Sequence, residues 1–183
     1  MRELKDYSGQ FVPDIKLSNF SQGALLRLAS LYSRLYIALD GFWYIGVMER
    51  MGNEEALACD LRAWEWGIGY EMRKMTEMLN IRGNDVAALM KYFQVAPWFQ
   101  QMKYEIELAN AKAGTITFTY CPTLEALEKE GKGRHAQICS IVEPEQFRQC
   151  ASFFNPEMRV KCLTPLPREK NEDVPCIWRF WLD

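Results

Sequence analysis

Two cysteines, the single histidine and three glutamates crowd into one stretch, YCPTLEALEKEGKGRHAQIC, from Tyr120 to Cys139. A third cysteine, Cys176, lies downstream in PCIWRFWL. These are the side chains best suited to bind a metal, attack as nucleophiles or move protons. Cys121, His135, Cys139 and Cys176 form a C-x13-H-x3-C pattern followed by a distant cysteine. Thiolate and imidazole ligands of that kind suit zinc or iron in a tetrahedral site. A thiol nucleophile is the alternative. Cys121 stands where a strand gives way to a helix, and a helix N-terminus favours the thiolate. His135 is then its base, with a glutamate, Glu128 foremost, to orient or move the proton. A third reading leaves the cysteines as buried packing. Cys59, Cys150 and Cys162 carry that reading most naturally, as small hydrophobes within helices and a strand. Arg168 and Lys170, in a charged loop, are a further place where a carboxylate could anchor.

The elements that must position these groups follow from hydrophobic spacing. Ser18 or Ser21 can cap a first helix from Gln22 to about Leu39, with Leu25, Leu28, Leu35 and Leu39 at helical intervals. Asp40-Gly41 then suggests a turn before a second helical piece, FWYIGVMERMG, closed by Gly52. Asn53 is a plausible N-cap for a long helix whose Leu57, Leu61, Trp64, Ile68, Met72, Met75 and Leu79 form one apolar stripe. That stripe is either bundle core or the seam of a homodimer. Asp85 starts another helix, VAALMKYFQV. The period then changes to two. MKYEIELANA and GTITFTY alternate as the two arms of a hairpin. Pro122 begins a helix that Gly131-Lys132-Gly133 stops, and Pro144 opens another. EMRVKCLT and CIWRFWLD complete the strands. The expected fold is α+β: a helical region over residues 1–100, then a four-stranded antiparallel sheet with inserted helices over residues 101–183.

Composition narrows the function. A formal net charge of −2 argues against nucleic-acid binding, which requires a basic field. No apolar run is long enough for a membrane span, and MRELKDYSGQFVPD lacks the apolar core of a secretory signal. A cytoplasmic protein with free thiols is expected. The six tryptophans and nine methionines suit an irregular core or the wall of an apolar ligand pocket.

The succession TFTYCP, LEKEG, Cys139, FFNPEMRV, LPRE and CIWRFWL resembles the C-terminal region of the aminothiazoline-carboxylate hydrolase-like proteins. It is more similar still to a neighbouring family of cytosolic proteins from anaerobic bacteria and archaea that has no assigned reaction. LDGFWYIGVMERMGNEEAL fits the same neighbour, so the likeness runs from about Leu25 to Leu182. The resemblance implies that Cys121, Glu128, Cys139, Asn155 and Cys176 occupy motif positions. It also implies a hydrolase that brings water to a C=N carbon of a small metabolite. Two departures stand out. Ser140-Ile141-Val142 follows Cys139 where the hydrolase group tends to carry an acid, and the loop before Cys176 is charged rather than glycine-rich. A fainter likeness to the vinyl-reductase-type small-molecule-binding domain implies a pocket alone. The expectation is therefore a site around Cys121, Glu128, His135, Cys139 and Cys176 that hydrolyses a C–N or C=N bond. The alternative is a non-catalytic ligand-binding or sensor module with an apolar pocket.

Overall fold

The computed structural model describes residues 3–164 and 176–183. Arg168, Lys170 and the charged loop around them lie outside the described residues. The stretch before the first helix is tied down where Leu4 bridges to Phe20; Leu4 donates its N–H to Asn19 O at 2.9 Å, and Ser21 donates to Leu4 O at 2.9 Å.

Ser21 caps α1 (Gln22–Met51), its hydroxyl accepting from the Ala24 N–H at 3.3 Å. The helix continues without interruption through Asp40-Gly41, where the sequence suggests a turn. A glycine inside a helix costs only about 1 kcal/mol. Packing of the surrounding turns against the next helix outweighs that local preference. Gly52, at φ +91°, ends α1 and donates to Met48 O at 2.9 Å. It also serves as the N-cap of α2 (Asn53–Leu79), so the cap falls one residue before the expected Asn53. The Asn53 side chain has other partners: it accepts from the Tyr44 hydroxyl at 2.9 Å and donates to Gln137 Oε1 at 2.6 Å. Asp85 caps α3 (Val86–Phe93) by accepting from Ala88 N–H at 2.9 Å.

The sheet is antiparallel throughout, in the order β1-β2-β4-β3. β1 (Lys103–Asn110) and β2 (Ala113–Tyr120) form the expected hairpin, and β4 (Cys176–Trp181) lies between β2 and β3 (Arg159–Cys162). Between β2 and β3 come α4 (Pro122–Glu130), the short α5 (His135–Gln137), a wide π turn over Ile138–Val142, and α6 (Glu143–Phe154). The architecture is thus α+β, with a helical first half and a four-stranded antiparallel sheet.

One aromatic cluster joins the two halves. Phe93 stacks on Phe99 with centroids 4.6 Å apart, and it meets Phe180 at 5.5 Å and Phe147 at 5.7 Å. Ile68 and Met72 of α2, Ile116 and Phe118 of β2, and Trp178 of β4 pack in the same core. The α2 stripe therefore faces inward. Ile68 and Met72 are fully buried, and Leu57, Leu61, Trp64 and Met75 are half-buried. The exposed apolar row is instead on the outer side of α1, at Leu31, Leu35, Leu39 and Phe42.

Phe93 touches helix, 3₁₀ turn and sheet at once, so its loss leaves a void that no single element can close. Phe93→Ala is expected to lower unfolding stability by about 3–5 kcal/mol, read from urea denaturation. Phe93→Leu should cost less than half as much.

Candidate functional site

The first of the sequence-expected site residues, Cys121, sits at the junction between β2 and α4. Its sulfur takes the N-cap position of α4 and accepts from the Leu124 N–H at 3.5 Å. Phe118 pairs with Cys176 across β2 and β4, and Cys162 pairs with Trp178 on the next strand. Cys121 and Cys162 both lie close enough to Cys176 to act on it electrostatically. Burial pushes the Cys176 thiol far up, with the Glu143 carboxylate and the two neighbouring cysteines adding to the effect. It is held as a neutral thiol, unsuited to attack as a thiolate.

His135 begins α5, and its Nδ1 is enclosed with no hydrogen-bond partner among the described residues. Cys139 follows within the π turn, half-buried. Glu128 is on the side of α4 away from the cavity described next, whereas Thr123, Ala126, Leu127 and Glu130 face it. Among the described residues, no three His, Cys, Asp or Glu side chains are gathered as a metal ion would require.

Beside this layer of cysteines lies a cavity of about 420 Å³. α1 supplies Ile37, Asp40, Phe42 and Tyr44; α2 supplies Asp60 and Trp64; α4 supplies Pro122, Ala126, Leu127 and Glu130. Ile138 and Val142 of the π turn, then Glu143 and Gln146 of α6, complete it together with Trp98 and Met102. The walls are mainly apolar, which is the usual make-up of a small-molecule site, as is the size. Three carboxylates interrupt them.

Asp60 is 3% exposed, and its Oδ1 has no hydrogen-bond partner among the described residues. Burial raises the Asp60 carboxyl far above the usual range, and the charges of Asp40 and Glu143 raise it further. Asp40 is likewise raised, chiefly by burial. The two acids are near enough to act on one another, and the Trp64 indole beside both favours their charged forms and offsets part of the rise. Such a pair holds one proton between two carboxylates. Burial, reinforced by Asp40, pushes Glu143 up to about 7. Glu143 is half-buried and lines the cavity.

At the far wall Arg134 donates from Nε to Glu130 Oε2 at 2.7 Å, and its guanidinium lies 5.0 Å above the Tyr44 ring. Arg134 beside Glu130 holds that carboxyl below the usual range. The local sequence explains the arrangement. Asp40 shares the inner stripe of α1 with Ile37 and Tyr44. Asp60 shares that of α2 with Ala56 and Trp64, and Glu143 that of α6 with Phe147 and Cys150. None of these acids is among the sequence-expected site residues. The available signal was a charge placed in an otherwise apolar helical stripe.

A family pattern spans residues 18–182, almost the whole chain. The protein belongs to DUF6125, a family of unknown function. No curated protein and no solved structure matches it. Of the DUF6125 fold described here, the cavity and its acids are the part with the clearest chemical capacity.

The raised acids have a measurable sign. A carboxyl whose folded pKa lies above its unfolded value binds more protons when folded. Stability from this source is full below the unfolded value, near 4.5, and lost as pH rises through about 7. For Glu143 the loss is on the order of 3 kcal/mol. The lowered acids, Glu130 and Asp6, act in a different window, because their contribution fades only as pH falls below the ordinary carboxylate range. Thermal melts of the ligand-free protein should therefore show Tm falling between about pH 5 and pH 8. Asp60→Asn and Glu143→Gln should each flatten that fall and raise Tm at the alkaline end.

Proposed function

We propose that the protein binds a small metabolite in this cavity and hydrolyses a C–N or C=N bond there. The observation that carries the reading is that Asp40 and Asp60, both raised by burial, line one apolar enclosure of ligand size. The resemblance of the second half to aminothiazoline-carboxylate hydrolase-like proteins supports the same bond class.

The pair contains both partners of acid–base chemistry. The ionised member takes a proton from a water as its oxygen attacks the carbon of C=N. The protonated member gives its proton to the nitrogen. Collapse of the carbinolamine then yields a carbonyl compound and an amine, with one water consumed. Proton exchange between the two neighbouring acids returns the proton to its starting place. Groups with pKa values near the working pH are the effective ones for such transfer. Glu143, up to about 7, is a third proton store within reach of Asp60. Cys121 and Cys176 act in this reading as the support behind the wall that carries Pro122 and Thr123, not as nucleophiles.

The homodimer expected from sequence fits a different face from the α2 stripe. We place it on the outer row of α1. Leu31, Leu35, Leu39 and Phe42 are spaced to share one side of the helix, and all are exposed. Phe42 also stands in the cavity wall, so a second copy seated there completes the mouth of the site.

Hydrolysis is tested by incubating the protein with a panel of small cyclic imines and amides and assaying released amine. Wild-type protein should turn over at least one compound, and Asp60→Asn should slow it by about 10²–10⁴-fold. Unchanged turnover in both Asp60→Asn and Asp40→Asn would remove the carboxylate mechanism. For the assembly, size-exclusion chromatography with light scattering should give a dimer that Leu39→Glu converts to monomer.

A further inference from the structure

The ionisable groups around the cavity do not balance. Asp40 of α1, Asp60 of α2 and Glu143 of α6 face it from separate helices. The cationic group in the described wall is Arg134, and its charge is already matched by Glu130 at 2.7 Å. The wall therefore has a surplus of acid and no uncommitted positive charge among the described residues.

Asp60 adds an independent sign of a missing partner. The residue is 97% enclosed by its 3% exposure, it lines the cavity, and its Oδ1 accepts no hydrogen bond from the described residues. A buried acceptor left bare is costly, so a donor is the natural complement. Around the acids stand Tyr44, Trp64 and Trp98, with Trp64 and Trp98 centroids 6.4 Å apart. Aromatic faces attract organic cations and repel anions. A metal ion is a poor fit, because among the described residues no three ligating side chains are gathered closely enough.

We propose that the ligand of this cavity is an organic cation: a protonated amine carried on an apolar, ring-sized body. This rests on the cavity being the ligand site, as proposed above. The ammonium donates to Asp60 Oδ1, and its single positive charge offsets one of the three acids Asp40, Asp60 and Glu143. The apolar body fills the space between Trp64, Leu127 and Val142.

Binding is then linked to protons. The cation requires ionised acids, whereas the empty cavity favours protonated ones, since burial raises all three. Among the described residues, the other titratable groups bearing on these acids are Glu130 and Tyr44, both beside Arg134, and the thiols of Cys150 and Cys176, which burial and Glu143 push up. Arg134 beside Glu130 holds that carboxyl below the usual range. Affinity for an amine should rise with pH through about 7, the Glu143 value.

Isothermal titration calorimetry with three probes of one shape tests this: phenethylamine, phenethyl alcohol and phenylpropanoate. At about pH 8 the amine should bind at least ~10-fold more tightly than the alcohol, and the acid should not bind measurably. The amine should weaken by about 10-fold or more at pH 5.5, while the alcohol stays constant. Asp60→Asn should erase the preference for amine over alcohol and leave the alcohol's affinity intact. Ala126→Trp, which fills the cavity, should abolish binding of both. If the alcohol binds as tightly as the amine in wild type and Ala126→Trp removes both, the cavity stands and the cation is overturned. If no probe binds, or binding survives Ala126→Trp, the cavity reading and the cation fall together. Should Ala126→Trp not fold, Thr123→Trp at the same wall serves as the plug.

Discussion

A carboxylate in an apolar enclosure must find either a proton or a positive charge, because transferring it unpaired from water costs far more than a fold can spare. Asp40, Asp60 and Glu143 meet that constraint together. They come from three helices, burial raises all of them, Asp40 and Glu143 raise Asp60 further, and Asp40 raises Glu143. Burial without compensation is tolerable only because the proton is available. The same constraint gives the site its chemistry, since a group that holds its proton loosely near neutral pH can also give it away.

The rest of the structure keeps those helices at a fixed separation. Phe93, Phe99, Phe147 and Phe180 form an aromatic centre that holds α3 and α6 against the sheet. Gly52 turns the chain between α1 and α2 within one residue, so Asp40 and Asp60 sit on facing inner stripes. Tyr44, Asn53 and Gln137 link α1, α2 and α5 through 2.9 Å and 2.6 Å hydrogen bonds. Trp64 spans the gap between the acids and the aromatic centre through its edge contact with Trp98. Apolar packing provides the rigidity, and the polar links set the orientation.

Local signals in the sequence were enough for the α+β architecture. The Ser21 and Asp85 caps, the Gly52 stop and the period-two hairpin each depend on neighbours a few residues away, and each appears where the pattern places it. The continuity of α1 was not legible, because Asp40-Gly41 looks like a turn in isolation. Its helical phase with Ile37 and Tyr44 was the stronger clue, and it also marked Asp40 as inward-facing. Attention to reactive residue types drew the site toward the cysteines. Cys121 is close enough to act on Cys176 electrostatically, and neither lines the cavity. A cavity is a property of packed helices, and the pattern of any one helix shows only that an acid lies on the wrong stripe.

The π turn at Ile138–Val142 has a consequence for how this site can diversify. Helices α5 and α6 answer to different neighbours: Gln137 to Asn53, and Phe147 and Cys150 to the core. A wide turn holds roughly one residue more than an α-helical one. That surplus residue lets both helices keep their own azimuth. Removing it would swing Arg134 and Gln137 by about 100° against α6, exchanging the polar furniture of the cavity while the aromatic centre stayed intact. A single codon is thus the dial on which descendants of this chain can reset what the chamber accepts.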